Sequence, residues 1–223
     1  APVVTAAATA QAPVVHRGAI TACIMVATVM QALDMTIANV ALPYMQGSLS
    51  ATLDQVNWVL TSYIVASAIM TPPSGWLATR FGRKNFFMFA VAGFTVASVA
   101  CAAAASLEQM VLFRLLQGAF GAAVIPLSQS ILLDIYPKER QGAAMAIWGM
   151  GIMVGPILGP TLGGWLTEAY GWRWVFLINL PIGILAMAGL SVFLHDTRAD
   201  RTLSFDWFGF ATLSLAIGGL QMM

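Results

Sequence analysis

Hydrophobic positions in this chain come in long unbroken blocks, without the two-residue alternation of half-buried strands. Seven blocks stand out: Gly18–Val40, Val56–Leu77, Phe86–Ala105, Met110–Leu133, Gly142–Leu166, Trp174–Leu194 and Phe208–Met223. Most reach the about 20 apolar residues that one helical crossing of a bilayer takes. Strands of a membrane barrel alternate and run only about 10 residues, so the blocks predict helices and an all-α integral membrane chain. Phe208–Met223 holds 16 residues, short of a full crossing. The blocks divide the chain into a disordered tail at 1–17, a six-helix lobe at 18–194, a connector at 195–207 and the start of a further helix at 208–223. The tail is Ala, Val, Thr and Pro with one Arg, and lacks the positive start and cleavable apolar core of a signal peptide.

Composition narrows the function. Of 223 residues, 59% are hydrophobic and 9% charged, against about 25% charged in a soluble domain. So few charges cannot cover a globular surface, which excludes a water-soluble enzyme and a secreted disulfide scaffold. A net charge of +1 offers no basic patch for nucleic acid. Cys23 and Cys101 sit inside apolar blocks and read as small buried residues, not as a redox pair or metal ligands. A membrane-embedded enzyme needs a constellation of reactive groups within the spans. Both histidines, His16 and His195, lie in connections, and the blocks hold a single carboxylate.

Lysine and arginine set the orientation. With the amino terminus inside, the inner segments carry Arg17, Arg80, Arg83, Lys84, Lys138, Arg140, Arg198 and Arg201, and the outer ones only Arg173. Eight against one predicts a cytoplasmic amino terminus.

Two charges break the apolar pattern. Asp34 and Arg114 are the only charged residues inside blocks. A carboxylate at membrane depth costs about 2.5–3.5 kcal/mol and so faces a wet cavity or a partner. Counting at 1.5 Å per residue, Asp34 lies roughly 9 Å below the outer end of its span and Arg114 roughly 6 Å below the outer start of its own. The two opposite charges are therefore expected at similar depth. Gln31 precedes Asp34 by three residues on the same helix face. Gln117 and Gly118 follow Arg114 by about a turn and supply a neutral neighbour and room for close packing.

Three further segments carry recognisable physics. Gly75 and Gly82 are expected to bracket a tight inner turn, with Arg80, Arg83 and Lys84 facing the cytoplasm and Asp134 within reach of Arg83. In the fifth block Gly151, Gly155, Gly159 and Gly163 recur at every fourth position, forming a helix face that another backbone can approach closely. Pro156 and Pro160 remove backbone donors from that helix and weaken or bend it. In the sixth, Trp172 and Trp174 fit an outer interfacial belt. Asn179 fits either a cavity-facing position or a bond to backbone freed by Pro181.

These segments resemble the major facilitator superfamily: the GxLxxRxGRK loop at 75–84, the RxxQG at 114–118 and the GPxxGPxxGG at 155–164. LDMTIANVALP at 33–43, IPLSQS at 125–130 and WRWVFLINLPIG at 172–183 are similar to the 14-helix drug:proton antiporters of the EmrB/QacA subfamily. The similarity runs from about Gln31 to Met223. Thr79 departs from it, standing where the superfamily loop usually has Asp. The resemblance implies the N-terminal six-helix lobe, with part of a seventh helix, of a protein about twice as long, whose C-terminal lobe would complete it. A connector of only 195–207 before the next apolar block implies 14 helices in all, not 12.

As function, the resemblance implies proton-driven export of hydrophobic, often cationic drug-like compounds across the bacterial inner membrane by alternating access. It needs no cofactor beyond the proton gradient. Asp34 and Arg114, with Gln31, Gln117 and Asn39, would serve proton and substrate. Gly75, Arg80, Gly82, Arg83 and Asp134 would gate the inner side. The glycine-proline face of the fifth helix would seal against the opposite lobe. Its implied partners are the lipid bilayer, a periplasmic adaptor and an outer-membrane channel. The alternatives within the superfamily are a siderophore, fatty-acid or metabolite exporter or symporter.

Overall fold

The computed structural model describes residues 16–194 and 205–221, so most of the expected tail and connector lies outside them. All regular structure among the described residues is helical: α1 Arg17–Ser48, α2 Leu53–Val56, α3 Trp58–Phe81, α4 Arg83–Ala103, α5 Leu107–Gly121, α6 Val124–Ile135, α7 Lys138–Tyr170, α8 Trp174–Leu177, α9 Asn179–Phe193 and α10 Trp207–Gln221. Five helical stretches are long and apolar enough to cross a membrane: α1, α4, α5 with α6, α7, and α8 with α9. At 24 residues α3 is also long enough, but Thr61, Ser62, Thr71, Pro72, Pro73 and Ser74 dilute it. A helix that faces other protein tolerates such residues. The 15 residues of α10 rise about 22 Å, less than the about 30 Å hydrocarbon core.

Helix ends and breaks follow local chemistry. The first helix runs past the expected end at Val40, through Pro43 to Ser48, because one missing donor weakens a membrane helix without ending it. The fourth span divides into α5 and α6 at Ala122–Ala123 because Pro126 has no N–H for the Ala122 carbonyl. The sixth divides at Ile178 for the same reason, Pro181 leaving the Leu177 carbonyl free. One residue, Gly82, joins α3 to α4 at φ 87°, and Gly171 at φ 92° ends α7. Gly75, expected to bracket that turn, instead sits inside α3 with open space around it. The inner turn therefore rests on Gly82 alone.

The helices pack around α1, which lies against α7 and α9, while α5 is held between α3 and α4. Two apolar cores result. Ile20, Ile24, Phe87, Phe94 and Leu132 fill the half where α1 begins. Ile37, Met45, Val59, Met110 and Phe176 fill the half where it ends. Gln31 and Asp34 sit on α1 where one core gives way to the other.

Candidate functional site

Asp34 and Arg114 meet between the two cores. Arg114 Nη1 donates to Asp34 Oδ2 at 2.7 Å, and the residues are 2% and 1% exposed. The depth matching read from the spans is thus a direct ion pair. The polar atoms around it come from four helices, α3, α4, α5 and α9. Gln117 of α5 donates from Nε2 to Asp34 Oδ1 at 2.9 Å and accepts from Arg114 Nη1 at 2.6 Å. Asn179 of α9 donates from Nδ2 to the same Oδ1 at 2.8 Å and to Ser98 Oγ of α4 at 2.9 Å. Arg114 Nε donates to the Val59 carbonyl of α3 at 3.1 Å. The guanidinium lies over the ring of Tyr63, 4.3 Å from its centroid, with Phe176 at 5.7 Å.

Close approach makes this geometry reachable. A Cβ on Gly118 would run into the backbone carbonyl of Tyr63, so only glycine lets α5 lie that near α3. Gln31 sits beside the pair without touching it. Its Nε2 donates to the Gly121 carbonyl at 2.8 Å and to the Tyr63 hydroxyl at 3.4 Å. Asn39 is not part of the cluster: it is exposed and donates to Met35 O at 3.2 Å on its own helix. Five residues separate it from Asp34, about 140° around a helix at 3.6 residues per turn, which turns it off the buried face.

The sequence left Asn179 open between cavity and backbone, and the fold sends its amide to Asp34 and Ser98. Tyr63 and Ser98 were not singled out by the sequence, and Cys101 was read there only as a small buried residue. Cys101 donates weakly to Gln117 Oε1 at 3.6 Å. A lone Ser or Cys in an apolar helix carries no pattern of its own, whereas Tyr63, an aromatic hydroxyl in mid-span, did offer a signal. An apolar cavity of about 650 Å³ between α3, α4 and α5, lined by residues such as Leu77, Phe86, Phe89 and Phe120, shares no residue with this cluster.

At the α3–α4 turn Arg83 pairs with Asp134, as their placement suggested, and both remain partly exposed. Arg80 lies over Trp76 at 5.3 Å, and Thr79 bonds back to Gly75 O at 3.0 Å. The glycine face of α7 turns inward, contrary to the expectation that it would meet an opposite lobe. Gly155, Gly159 and Gly163 are buried against Ala32, Thr36 and Ile37 of α1, and Gly151 meets Met25. Thr36 Oγ1 donates to Gly155 O at 3.0 Å. Pro156 and Pro160 are exposed, each about 100° around α7 from the glycine before it.

The buried ion pair is held by parts that lysine cannot replace. Arg114→Lys keeps the charge but loses the Nε bond and the ring stacking. One charge-assisted hydrogen bond is worth about 1.5–3 kcal/mol, so the variant is expected to lose stability of that order and to unfold at a lower temperature in detergent. Thermal unfolding in detergent checks this, and a midpoint equal to the parent's would show that the fork geometry is dispensable.

A bundle of apolar, membrane-length helices closed over a buried ion pair defines a polytopic membrane protein. The model of the Major Facilitator Superfamily matches residues 24–219, and the chain belongs to that family. Multidrug export protein EmrB of Haemophilus influenzae is 45% identical over 216 residues, covering 95% of this chain and 42% of that protein. Fatty acid resistance protein FarB of Neisseria gonorrhoeae is 43% identical over 198 residues, covering 88% and 39%. The chain thus spans about two fifths of the length of these relatives. A crystal structure of the peptide transporter POT shares the fold with a TM-score of 0.73 at 17% identity, over 91% of this chain and 44% of that one.

Proposed function

We propose that the chain is the N-terminal lobe of a proton-coupled multidrug exporter. The observation that carries this reading is Asp34: one carboxylate, sealed between two apolar cores and facing Arg114. Burial opposes ionisation of a carboxylate and a neighbouring cation favours it. Opening the bundle around Asp34 to one side and then to the other changes both influences, so the group takes a proton on one side and yields it on the other. Rocking of this lobe against a second one, around the site between them, supplies the movement.

The similarity to EmrB supports hydrophobic drug-like substrates, and a carboxylate at the site suits cationic ones. The eight-to-one distribution of Lys and Arg supports a cytoplasmic amino terminus in the bacterial inner membrane. The proton gradient is the energy source, with no cofactor. A periplasmic adaptor and an outer-membrane channel belong to the same proposal. The short stretch before α10 supports 14 helices, with α10 opening an inserted pair. The test is ethidium efflux into everted vesicles carrying the full-length transporter, with and without a proton gradient. Transport that ignores the gradient would overturn the coupling.

The similarity to FarB favours a second reading, export of long-chain fatty acids. An anionic substrate would meet Arg114 in place of Asp34. Uptake of a labelled fatty acid in the same vesicles, without ethidium transport, would select it.

A further inference from the structure

We infer that Asn179 is the partner of the proton that Asp34 carries: its amide turns over on protonation and presents its carbonyl oxygen where the amide nitrogen now points. This rests on the coupling role proposed for Asp34. As it stands, Asp34 meets only donors. Oδ2 receives Arg114, and Oδ1 receives Gln117 Nε2 and Asn179 Nδ2. That suits a carboxylate. A carboxylic acid, with one O–H to donate, needs an acceptor there.

Arginine does not give up its proton, so Oδ2 stays an acceptor and the added proton falls on Oδ1. Of the two amides facing Oδ1, Gln117 is fixed, since its own oxygen is held by Arg114 Nη1 at 2.6 Å and by Cys101 Sγ at 3.6 Å. Asn179 is not. Its Oδ1 is buried without a hydrogen-bond partner, so turning the amide breaks no bond at the oxygen. The same amide nitrogen also donates to Ser98 Oγ, a hydroxyl that itself donates to the Phe176 carbonyl at 2.9 Å. After the turn the hydroxyl donates to Asn179 Oδ1 instead, and the Phe176 carbonyl is left with the Ile178 N–H that it shares with the Trp174 carbonyl. Asn179 therefore accepts from both Asp34 and Ser98 while the proton is bound, and donates to both when it leaves.

The other charged or titratable groups around the carboxylate are Arg114 on α5, Tyr63 on α3 and Cys101 on α4. Against this stretch of α1, α7 brings glycine. Asn179 opens α9 directly after the break at Ile178, so the proton is read at a joint of the sixth span.

Infrared difference spectra of the full-length transporter in lipid, between high and low pH and with ¹³C-labelled asparagine, test the inference. The expected result is a protonated-carboxyl band that Asp34→Asn removes, accompanied by an asparagine carbonyl band that the label shifts. Both Asp34→Asn and Asn179→Ser should abolish the asparagine band, while Asn179→Ser keeps the carboxyl band. Should the serine variant fail to fold, Asn179→Asp, which keeps the side-chain shape, gives the same loss of the labelled band. A carboxyl band with no asparagine band, or an asparagine band that survives both variants at position 179, overturns the inference and leaves the role of Asp34 intact. Absence of any Asp34 carboxyl band overturns both.

Discussion

Asp34→Asn in the full-length transporter is expected to bring gradient-driven ethidium efflux down to the level of vesicles without the protein. The substitution removes the titratable group and leaves Arg114 charged, buried and without its counter-ion. Breaking a buried pair from one side costs about 3–5 kcal/mol, a large part of a membrane domain's margin. The amide also places an N–H₂ group opposite Arg114 Nη1 or opposite the two donors on Oδ1. The sequence alone suggests a variant that loses coupling and inserts normally, whereas the contacts add a stability loss. The two effects separate in the double replacement Asp34→Asn with Arg114→Gln, which carries no buried charge. It should recover thermal stability in detergent and remain inactive. Normal efflux from Asp34→Asn, or recovery of efflux in the double variant, would remove Asp34 from coupling. Asp34→Glu keeps the titration and is expected to retain part of the efflux.

How much of this was legible before the fold depends on what a membrane sequence encodes. Length and apolarity mark crossings, so the blocks became helices, and charges that defy the solvent marked Asp34 and Arg114 as a pair. Counting from the expected span ends put the two at similar depth, although α1 runs eight residues past the Val40 from which Asp34 was counted. Which neighbour a helix face meets is another matter. Lipid is as apolar as a packed helix, so hydrophobicity does not separate the two, and small residues report only close approach. The glycine stripe of α7 therefore predicted a tight contact and misplaced the partner, which is α1 of the same lobe. Asn39 was drawn in because it shares the LDMTIANVALP motif with Asp34, though helical angle turns it outward. Asn179 reaches Asp34, and Ser98 reaches Asn179, across long separations in the chain, a closure that the packing of α9 on α1 and α4 provides.

Adding one methyl group along the α7 stripe should give a graded loss of thermal stability, largest at Gly155. A Cβ there would lie 2.6 Å from the Ala32 carbonyl carbon and 2.7 Å from its oxygen. Backbone cannot swing aside, so α1 and α7 must part. At Gly159 the new atom meets the Thr36 hydroxyl, which must turn away from its bonds to α1 and Gly155. At Gly163 the nearest atoms of Ile37 are 3.3 Å away, a contact relieved by a small shift. At Gly151 the obstacle is only the tip of Met25, a flexible side chain. Gly164 has nothing within 4 Å and serves as the control. Overpacking costs about 1–3 kcal/mol, so Gly155→Ala should fall at or above the top of that range and Gly164→Ala near zero. Gly155→Leu should prevent the lobe from closing. Because Ala32 precedes Asp34 by two residues, any displacement of α1 also moves the carboxylate away from Gln117 and Asn179. Efflux should therefore fall in the same order as the midpoint of thermal unfolding in detergent. Equal midpoints for Gly155→Ala and Gly164→Ala would mean that the two helices are not in backbone contact, and the glycine face would return to the lipid or to a second lobe.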